Sequence, residues 1–347
     1  MLRSAIPSFT ETSRLEYTFA RATRAAPLTG PRPGWHDRGV PRLRANGVDI
    51  EYEIFGEPDA DPLLLVMGLG AQMILWEEEF CEQLAARGHR VIRFDNRDVG
   101  LSSKLDAAGV PNALAGMAAR ARGEPFEAPY TLRDMATDAA ELLDGLGLEA
   151  AHVAGASMGG MIAQTLALEH PARVRSLTSI MSTTGDPSLP PPTPEAMSVL
   201  LTPAPTDREA NIERAVETAS ILAGSGFPID VQRVRRRAAR IYDRSFHPPG
   251  LARQLAAIVA SGSRAEALAS LRVPTLVIHG DADPLVPVEC GIATHAAIPG
   301  SELLLIEGMG HDLPPATWPR IVDAIRKHTS RVAAGSAVAR SKGVGQR

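Results

Sequence analysis

The sequence has few cysteines, no large excess of either charge and no long apolar run. Only two cysteines, Cys81 and Cys290, occur among 347 residues, and neither belongs to a Cys/His spacing of the metal-binding kind. The net charge of −4 gives no case for binding to nucleic acid or to a membrane surface. No apolar run reaches the roughly 18 residues of a membrane span, so stable membrane insertion is not expected. These absences favour a cytoplasmic protein without a metal site.

The two ends of the chain differ in composition from the rest. Residues 1–40 contain six arginines and several prolines, but no apolar core of the length found in secretory signals. Their acidic residues Glu11 and Glu16 argue against an organelle transit peptide, so we interpret residues 1–40 as a flexible extension. Residues 331–347 are basic and rich in glycine, alanine and serine, which predicts a flexible tail.

Between these ends, apolar runs and helical segments alternate along the chain. The series opens with a strand pair around Asn46-Gly47, a dipeptide that suits a tight hairpin turn. Such alternation predicts an α/β fold, with a mostly parallel sheet of about eight strands and helices on both faces. The alternation covers residues 41–183 and 271–330. Residues 184–270 begin with a proline-rich stretch and continue with helical segments only, which predicts a helical cap insertion.

The stretch Gly155-Ala156-Ser157-Met158-Gly159 joins an apolar run to a helix and follows the pattern G-x-S-x-G. In such a turn the strand and helix backbones approach closely, so a side chain at either glycine would collide. The serine at the apex is held in a strained conformation that exposes its hydroxyl beside the helix N-terminus. Ser157 is therefore a candidate nucleophile, although the same string also occurs where a serine only caps a helix.

A serine nucleophile needs a base within hydrogen-bond reach and a carboxylate that orients the base. Asp283 and His311 follow two later predicted strands, in the order Ser, Asp, His that accompanies a strand-to-helix elbow. Loops at the carboxyl ends of parallel strands lie on one edge of the sheet, so the three side chains can converge there. Asp281, two residues before Asp283, remains a rival acid. Four other histidines are placed at strand ends, helix ends or helix faces, where packing is the simpler role: His89, His170, His279 and His295.

With these residues in order, the chain resembles the α/β-hydrolase superfamily over residues 41–330. The matching segments are Gly155–Gly159, the run from Gly280 through Asp283 to Pro287, the run from Gly308 to His311, and the loop from Asp95 to Ser102. Within the superfamily, the apolar run that ends at Gly68 and the run that begins at Phe94 look like actinobacterial serine esterases related to the aclacinomycin methylesterases.

The resemblance implies a role for each of the three candidate residues. In the family pattern Gly-x-x-Asp-x-x-x-Pro, Asp283 stands at the acid position and Asp281 does not. The resemblance also implies an alternative, since some relatives carry the acid after the strand that follows the nucleophile, where this chain has Asp186. Ser157 stands at the position of the nucleophile, and His311 stands at the position of the base. Neither a metal nor another cofactor is implied for a triad of this kind.

The resemblance also implies an oxyanion hole, which aims two backbone N–H groups at the negative charge that develops on the substrate. One group belongs to Leu69, in the loop after the third strand, and the other to Met158, directly after the nucleophile. Many relatives have histidine where this chain has Met67. That difference affects the support of the loop rather than the donor itself.

Two further groups of charged residues are interpreted as structural. The residues Asp95, Arg97, Gly100 and Ser102 follow the fourth strand and are expected to hold a tight loop. The arginine run of the insertion is expected to form a solvated helix face rather than an anion site, and consists of Arg233, Arg235, Arg236 and Arg237.

The predicted activity is hydrolysis of a carboxylic ester through an acyl-enzyme. Serine at the elbow excludes the branches of this fold that use aspartate there, such as epoxide hydrolases and haloalkane dehalogenases. The same triad would also serve a cofactor-free perhydrolase or haloperoxidase, or a hydrolase of carbon–carbon bonds. A ligand receptor with slow turnover is a further alternative. The apolar content of the insertion suggests a small-molecule ester with an apolar part, whereas the oligomeric state is not indicated.

Overall fold

Strands and helices alternate through the described part of the chain. The computed structural model describes residues 41–343, with side chains to residue 332, so the predicted extension at residues 1–40 lies outside the described residues. The strands are β1 Arg42–Ala45, β2 Val48–Phe55, β3 Asp61–Val66, β4 His89–Phe94, β5 Ala151–Ala156, β6 Val174–Ile180, β7 Thr275–Gly280 and β8 Glu302–Ile306. The helices are α1 Glu78–Ala86, α2 Ala113–Ala121, α3 Leu132–Gly145, α4 Met158–Glu169, α5 Pro194–Leu201, α6 Arg208–Leu222, α7 Val231–Arg244, α8 Pro248–Ser261, α9 Ala265–Leu268, α10 Val288–Ala297 and α11 Trp318–Gly343. Within these residues, no helix combines the length and the apolarity needed to cross a membrane.

The described strands form one sheet of eight strands in the order β1-β2-β4-β3-β5-β6-β7-β8. The first two strands pair antiparallel, and β2 pairs antiparallel with β4. All the remaining neighbours are parallel, and helices on both faces provide the crossovers that parallel strands require. The predicted fold class, a mostly parallel α/β-hydrolase sheet of about eight strands, is confirmed.

The turn between β1 and β2 is formed by Asn46 and Gly47. Their φ angles are positive, at 45° and 76°, as a two-residue type I′ turn requires. The Asn46 side chain also donates a hydrogen bond to Asp138 of α3 at 3.0 Å, and Arg97 forms a buried ion pair with the same carboxylate. The predicted hairpin is thus present and is tied to the first helix behind the sheet.

Side chains of β3 alternate between two hydrophobic cores, one on each face of the sheet. Leu63 and Leu65 pack in a cluster with residues of α1 and α11, among them Phe80. Leu64 and Val66 pack in a second cluster with residues of α3 and α4. Because successive side chains of a strand point to opposite faces, a strand covered on both faces needs an uninterrupted apolar run. This is the reason that the predicted central strands read as continuous apolar segments.

Residues 104–130 contain α2, which is capped by Asn112, whose side chain accepts a hydrogen bond from Ala115 N at 3.0 Å. Two other helices differ from the expectations drawn from the sequence. In the proline-rich start of the insertion, α5 forms because Pro194 occupies the first helical turn, where its missing N–H costs nothing. The last helix, α11, continues to Gly343, into the segment where a flexible tail was expected.

In the described structure, five helices, α5 to α9, come between β6 and β7, in the segment predicted as a cap. Ion pairs join this insertion to the core. Arg233 and Arg237 of α7 pair with Glu77, next to the start of α1, at 2.6 and 3.2 Å. The expectation that the arginine run is only a solvated face is therefore wrong for these two residues. Their carboxylate partner lies far away in sequence, so no local pattern indicated it.

Both cysteines are free and buried, Cys81 in α1 and Cys290 in α10. Burial raises the pKa of the Cys81 thiol to about 12. Burial also raises the pKa of Cys290. Since only a thiolate is a strong nucleophile or metal ligand, neither side chain is primed to react near neutral pH.

Candidate active site

Ser157 lies at the junction of β5 and α4 in an unusual backbone conformation. Its φ is 56° and its ψ is −123°, a region that residues with a side chain rarely adopt. The flanking glycines are required here, because a Cβ at Gly155 would lie 2.1 Å from the Gly159 carbonyl oxygen. The Ser157 N–H donates to the Ile180 carbonyl oxygen at 2.9 Å, which fixes the turn against β6. The sequence therefore folds into a tight strand-to-helix elbow with the serine at its apex.

Replacing Gly155 by alanine should lower the free energy of unfolding by about 3 kcal/mol, because the new methyl group overlaps a backbone oxygen that cannot move alone. Chemical denaturation of the variant measures this loss. The matched control is Gly123→Ala, where φ is 76° but no heavy atom lies within 4 Å of the new Cβ. That change should cost only about 1–2 kcal/mol, from the left-handed backbone. Equal losses in the two variants would contradict the close approach at the elbow.

The structure brings Ser157, Asp283 and His311 together. His311 Nε2 lies 2.9 Å from Ser157 Oγ, and His311 Nδ1 lies 2.7 Å from Asp283 Oδ2. A carboxylate only accepts, so Nδ1 carries the proton and Nε2 is the acceptor for the serine hydroxyl. The other oxygen of Asp283 accepts from the N–H groups of Leu285 and Val286, at 2.9 and 2.8 Å. The carboxylate is thus held rigidly, and the histidine is oriented to accept a proton from the serine.

Leu69 and Met158 are the expected oxyanion donors, and each belongs to a segment that adjoins the serine. Met158 is the first residue of α4, so its N–H has no acceptor within the helix. The loop of Leu69 touches the elbow, since a Cβ at Gly68 would lie 3.2 Å from Ser157 Cβ. In the part of the chain that the structure describes, neither N–H donates to a protein acceptor. Both N–H groups are therefore free to donate to a substrate.

The loop after β4 forms hydrogen bonds that support the oxyanion loop, which is defined as residues 67–72 after β3 and includes Leu69. Asn96 Nδ2 donates to the Met67 carbonyl oxygen at 2.9 Å. The Asp95 carboxylate accepts from Met73 N at 2.8 Å. Ser102 Oγ closes the loop by donating to the Asp95 carbonyl oxygen at 2.6 Å. These contacts are those of a structural support, which is the role expected for this loop.

Two residues that the sequence analysis missed hold the nucleophile and the histidine in place. Ser182, shortly after β6, donates its hydroxyl to the Ser157 carbonyl oxygen at 2.8 Å. The backbone N–H of His311 donates to the carbonyl oxygen of Leu222, the last residue of α6, at 2.8 Å. Ser182 follows a parallel strand at the same sheet edge, which is a signal that could have found it. Leu222 contributes only a backbone atom, and no sequence pattern indicates such a contact.

The rival acids have other partners. Asp281 accepts a hydrogen bond from Gly308 N at 2.6 Å, and so joins its own turn to the loop that carries His311. Asp186 accepts from the N–H and the hydroxyl of Ser188, at 2.9 and 2.8 Å. The carboxylate that hydrogen-bonds to His311 is that of Asp283. The spacing of the family pattern and the geometry therefore select the same residue.

The rival histidines include two that are completely buried, His89 and His279. His279 Nε2 donates to the Val286 carbonyl oxygen at 2.8 Å, beneath the loop that carries Asp283. Burial lowers the pKa of His279 and lowers that of His89 to about 4. Both rings are therefore neutral near pH 7. His279 Nε2 also lies 3.6 Å from Asp283 Oδ2, so this ring packs against the candidate acid, while His311 is the histidine that hydrogen-bonds to it.

Acidification should destabilise the fold through these buried rings. The pKa of His89 in the folded protein lies below its usual value near 6.5. The unfolded chain therefore binds more protons between about pH 6.5 and pH 4, and the free energy of unfolding falls as pH falls through this window. We expect His89 to account for about 1–3 kcal/mol of the loss. Urea denaturation at pH 7 and pH 5 measures it, and the His89→Gln variant should show a shallower dependence. An unchanged dependence in that variant would contradict this assignment.

A second Ser-His-Asp hydrogen-bond chain lies at the amino ends of the parallel strands, whereas the candidate site lies at their carboxyl ends. His152 Nδ1 is 2.7 Å from Ser176 Oγ, and His152 Nε2 is 3.0 Å from Asp61 Oδ2. Ser176 is buried within β6, with neither an elbow nor a helix N-terminus directly behind it. The comparison shows that the hydrogen-bond chain alone does not distinguish the candidate site. The features that distinguish the candidate site are the strained elbow at Ser157 and the two backbone donors.

The parallel sheet and its serine elbow, with aspartate and histidine on two later loops of the same edge, define a class of protein: the hydrolases built on this fold. Among the described residues, no group of three or more His, Cys, Asp or Glu side chains is arranged to hold a metal ion. The chain belongs to the alpha/beta hydrolase fold family, whose family model matches residues 61–314.

Individual relatives agree with this assignment. Rhodomycin D methylesterase DnrP of Streptomyces peucetius is 34% identical over 304 residues, which cover 81% of this chain and 95% of that protein. The resemblance to actinobacterial methylesterases is thereby confirmed. Among solved structures, the meta-cleavage product hydrolase CumD of Pseudomonas fluorescens gives a TM-score of 0.65 at 20% identity, covering 84% of this chain and 97% of that chain. A thermophilic esterase of Thermogutta terrifontis gives a TM-score of 0.61 at 26% identity, covering 84% and 99%.

Proposed function

We propose that the protein is a serine hydrolase that cleaves a carboxylic ester through an acyl-enzyme, with Ser157 as the nucleophile. The observation that carries the proposal is that His311 is hydrogen-bonded to both Ser157 and Asp283. As Ser157 Oγ attacks the ester carbonyl carbon, its proton passes to His311 Nε2, and Asp283 stabilises the imidazolium that forms. The imidazolium then gives this proton to the leaving alkoxide, which departs as the alcohol.

Water completes the proposed cycle. It attacks the carbonyl carbon of the acyl-enzyme while His311 Nε2 accepts its proton, and the same proton returns to Ser157 Oγ as the acid leaves. In both halves the carbonyl oxygen becomes negatively charged. We assign the stabilisation of this charge to the backbone N–H groups of Leu69 and Met158. Neither a metal nor a cofactor takes part in the proposed reaction.

The proposed substrate is the methyl ester of a small-molecule acid with an apolar part. One support is the similarity to a relative named as a methylesterase, along 95% of its length. A second support is Leu251 of α8, which stays 37% exposed and lies against Gly70 of the oxyanion loop. Apolar surface therefore borders the proposed hole, as ligand sites generally require. A cytoplasmic location belongs to the same proposal, supported by the two free cysteines.

The test is product analysis with purified protein and three kinds of substrate: methyl esters of aromatic acids, a vinylogous diketone for carbon–carbon cleavage, and acetate with hydrogen peroxide for peracid formation. The proposal predicts that methanol and free acid appear in equal amounts from the methyl esters. Faster turnover of the diketone or of the peracid reaction would replace ester hydrolysis by one of those activities. Tight binding of the esters without turnover would favour a receptor.

A further inference from the structure

We infer that Gln254 of the insertion is a positioning residue for the oxyanion hole. Its side chain is completely buried on α8 and bridges two loops of the core. Its Oε1 accepts a hydrogen bond from Gly70 N at 2.7 Å, and its Nε2 donates to the Arg97 carbonyl oxygen at 2.8 Å. Since a backbone N–H can only donate and a carbonyl oxygen can only accept, these two partners determine the orientation of the amide.

The hydrogen bond to Gly70 acts on the peptide group that directly follows Leu69, the residue whose N–H is the proposed oxyanion donor. Gly70 has a φ of 65°, so the chain turns sharply here. Within the loop itself, the turn is closed by a bond of 3.3 Å from Ala71 N to the Gly68 carbonyl oxygen. A bond of that length is weak. The shorter bond from Gln254 therefore holds the peptide that follows Leu69 more firmly than the turn's own bond does.

A second side chain of α8 presses on the same glycine. Leu251 lies three residues before Gln254 and thus on the same helix face, and a Cβ at Gly70 would be 2.7 Å from its Cδ1. The far end of the loop is also held by the insertion, since Gln72 Nε2 donates to two carbonyl oxygens at the C-terminal end of α7, at 2.8 Å each. The insertion therefore holds the oxyanion loop at both Gly70 and Gln72.

The inference rests on the proposed esterase activity and is tested with the Gln254→Met variant, which keeps the side-chain length and removes both hydrogen bonds. We expect kcat to fall by up to about 100-fold, the cost of a small misplacement of a catalytic group. KM should change little, because the hole acts on charge that is present only in the transition state. The affinity for a trifluoromethyl ketone, whose adduct places an oxyanion in the hole, should fall with kcat. The affinity for a neutral amide analogue of the ester, which carries no negative charge at the carbonyl oxygen, should stay unchanged.

The matched control is Gln164→Met. Gln164 is also completely buried, and it bonds to Ser179 Oγ at 3.2 Å and to Arg264 Nε at 3.1 Å, neither of which belongs to the oxyanion loop. Its variant can lose stability but should keep the wild-type kcat and ketone affinity. If Gln254→Met keeps both of these values, or if Gln164→Met loses them equally, the positioning role is wrong. Loss of ester turnover in the wild type, or its survival in Ser157→Ala, would overturn the proposed function instead.

A second variant, Gln254→Glu, keeps the inference testable if Gln254→Met does not fold. A protonated carboxyl group still offers one donor and one acceptor, whereas a carboxylate cannot donate to the Arg97 carbonyl oxygen. Burial raises the pKa of such a group into the measurable range. The ratio of the variant kcat to the wild-type kcat should therefore fall as pH rises. A ratio that is independent of pH, at intact fold, would overturn the inference.

Discussion

Replacement of Ser157 by alanine should lower kcat for ester hydrolysis by about 10⁵- to 10⁶-fold, as loss of a triad nucleophile does in a serine protease. Without the Oγ atom no acyl-enzyme can form, and only the oxyanion hole and substrate binding remain. The fold should persist, because the described partner of the hydroxyl is His311 at 2.9 Å on the edge of the sheet. The measurement is kcat on a p-nitrophenyl ester, together with stoichiometric labelling by a fluorophosphonate. The wild type should take up one label per chain and the variant none.

The control for this prediction is Ser176→Ala. Ser176 also hydrogen-bonds to a histidine, His152, that is linked to a carboxylate, but it is buried in a strand away from the elbow. That variant should keep full labelling and turnover. If Ser157→Ala still hydrolysed the ester at a rate comparable to the wild type, the nucleophile would have to be another residue. Labelling of Ser176 would identify the amino ends of the parallel strands as a second reactive site.

The sequence was most informative where one residue type is required by local geometry. Asn46 and Gly47 marked the hairpin because both adopt positive φ. Gly155 and Gly159 marked the elbow because any Cβ there meets backbone atoms. The separation of Asp283 from Asp281 needed the family pattern, since both residues follow the same strand. The structure gives them different partners, the side chain of His311 and the N–H of Gly308.

Contacts between distant segments were not predictable in the same way. Gln254 lies in an amphipathic helix of the insertion. Its partners, Gly70 and Arg97, lie in loops of the core that are more than 150 residues earlier in the chain. The pairing of Arg233 with Glu77 likewise depends on how α7 docks on the core. Periodicity states which face of a helix is apolar, but it does not state which loop that face will meet. Such contacts depend on tertiary packing, which cannot be deduced from the pattern of a single sequence.

Asp283→Asn should lower kcat by about 10⁴-fold, the loss seen for this change in a serine protease. The reason lies in the hydrogen bonds of the carboxylate. Its Oδ1 accepts from two N–H groups, of Leu285 and Val286, so an asparagine must place its carbonyl oxygen there. Its NH₂ group then faces His311 Nδ1 and donates to it. That bond would force the tautomer with the proton on Nε2, which cannot accept a proton from Ser157.

The comparison that isolates this effect is Asp281→Asn, two residues earlier on the same loop. Asp281 accepts one hydrogen bond from Gly308 N at 2.6 Å, and an asparagine oxygen can still accept it. The change should cost about 0.5–1.5 kcal/mol of stability and leave kcat close to that of the wild type. Both variants are assayed on one ester at one pH, with the fold checked by circular dichroism. Equal losses of kcat at intact fold would move the acid role away from Asp283, and wild-type activity in both would make Asp186 the remaining candidate.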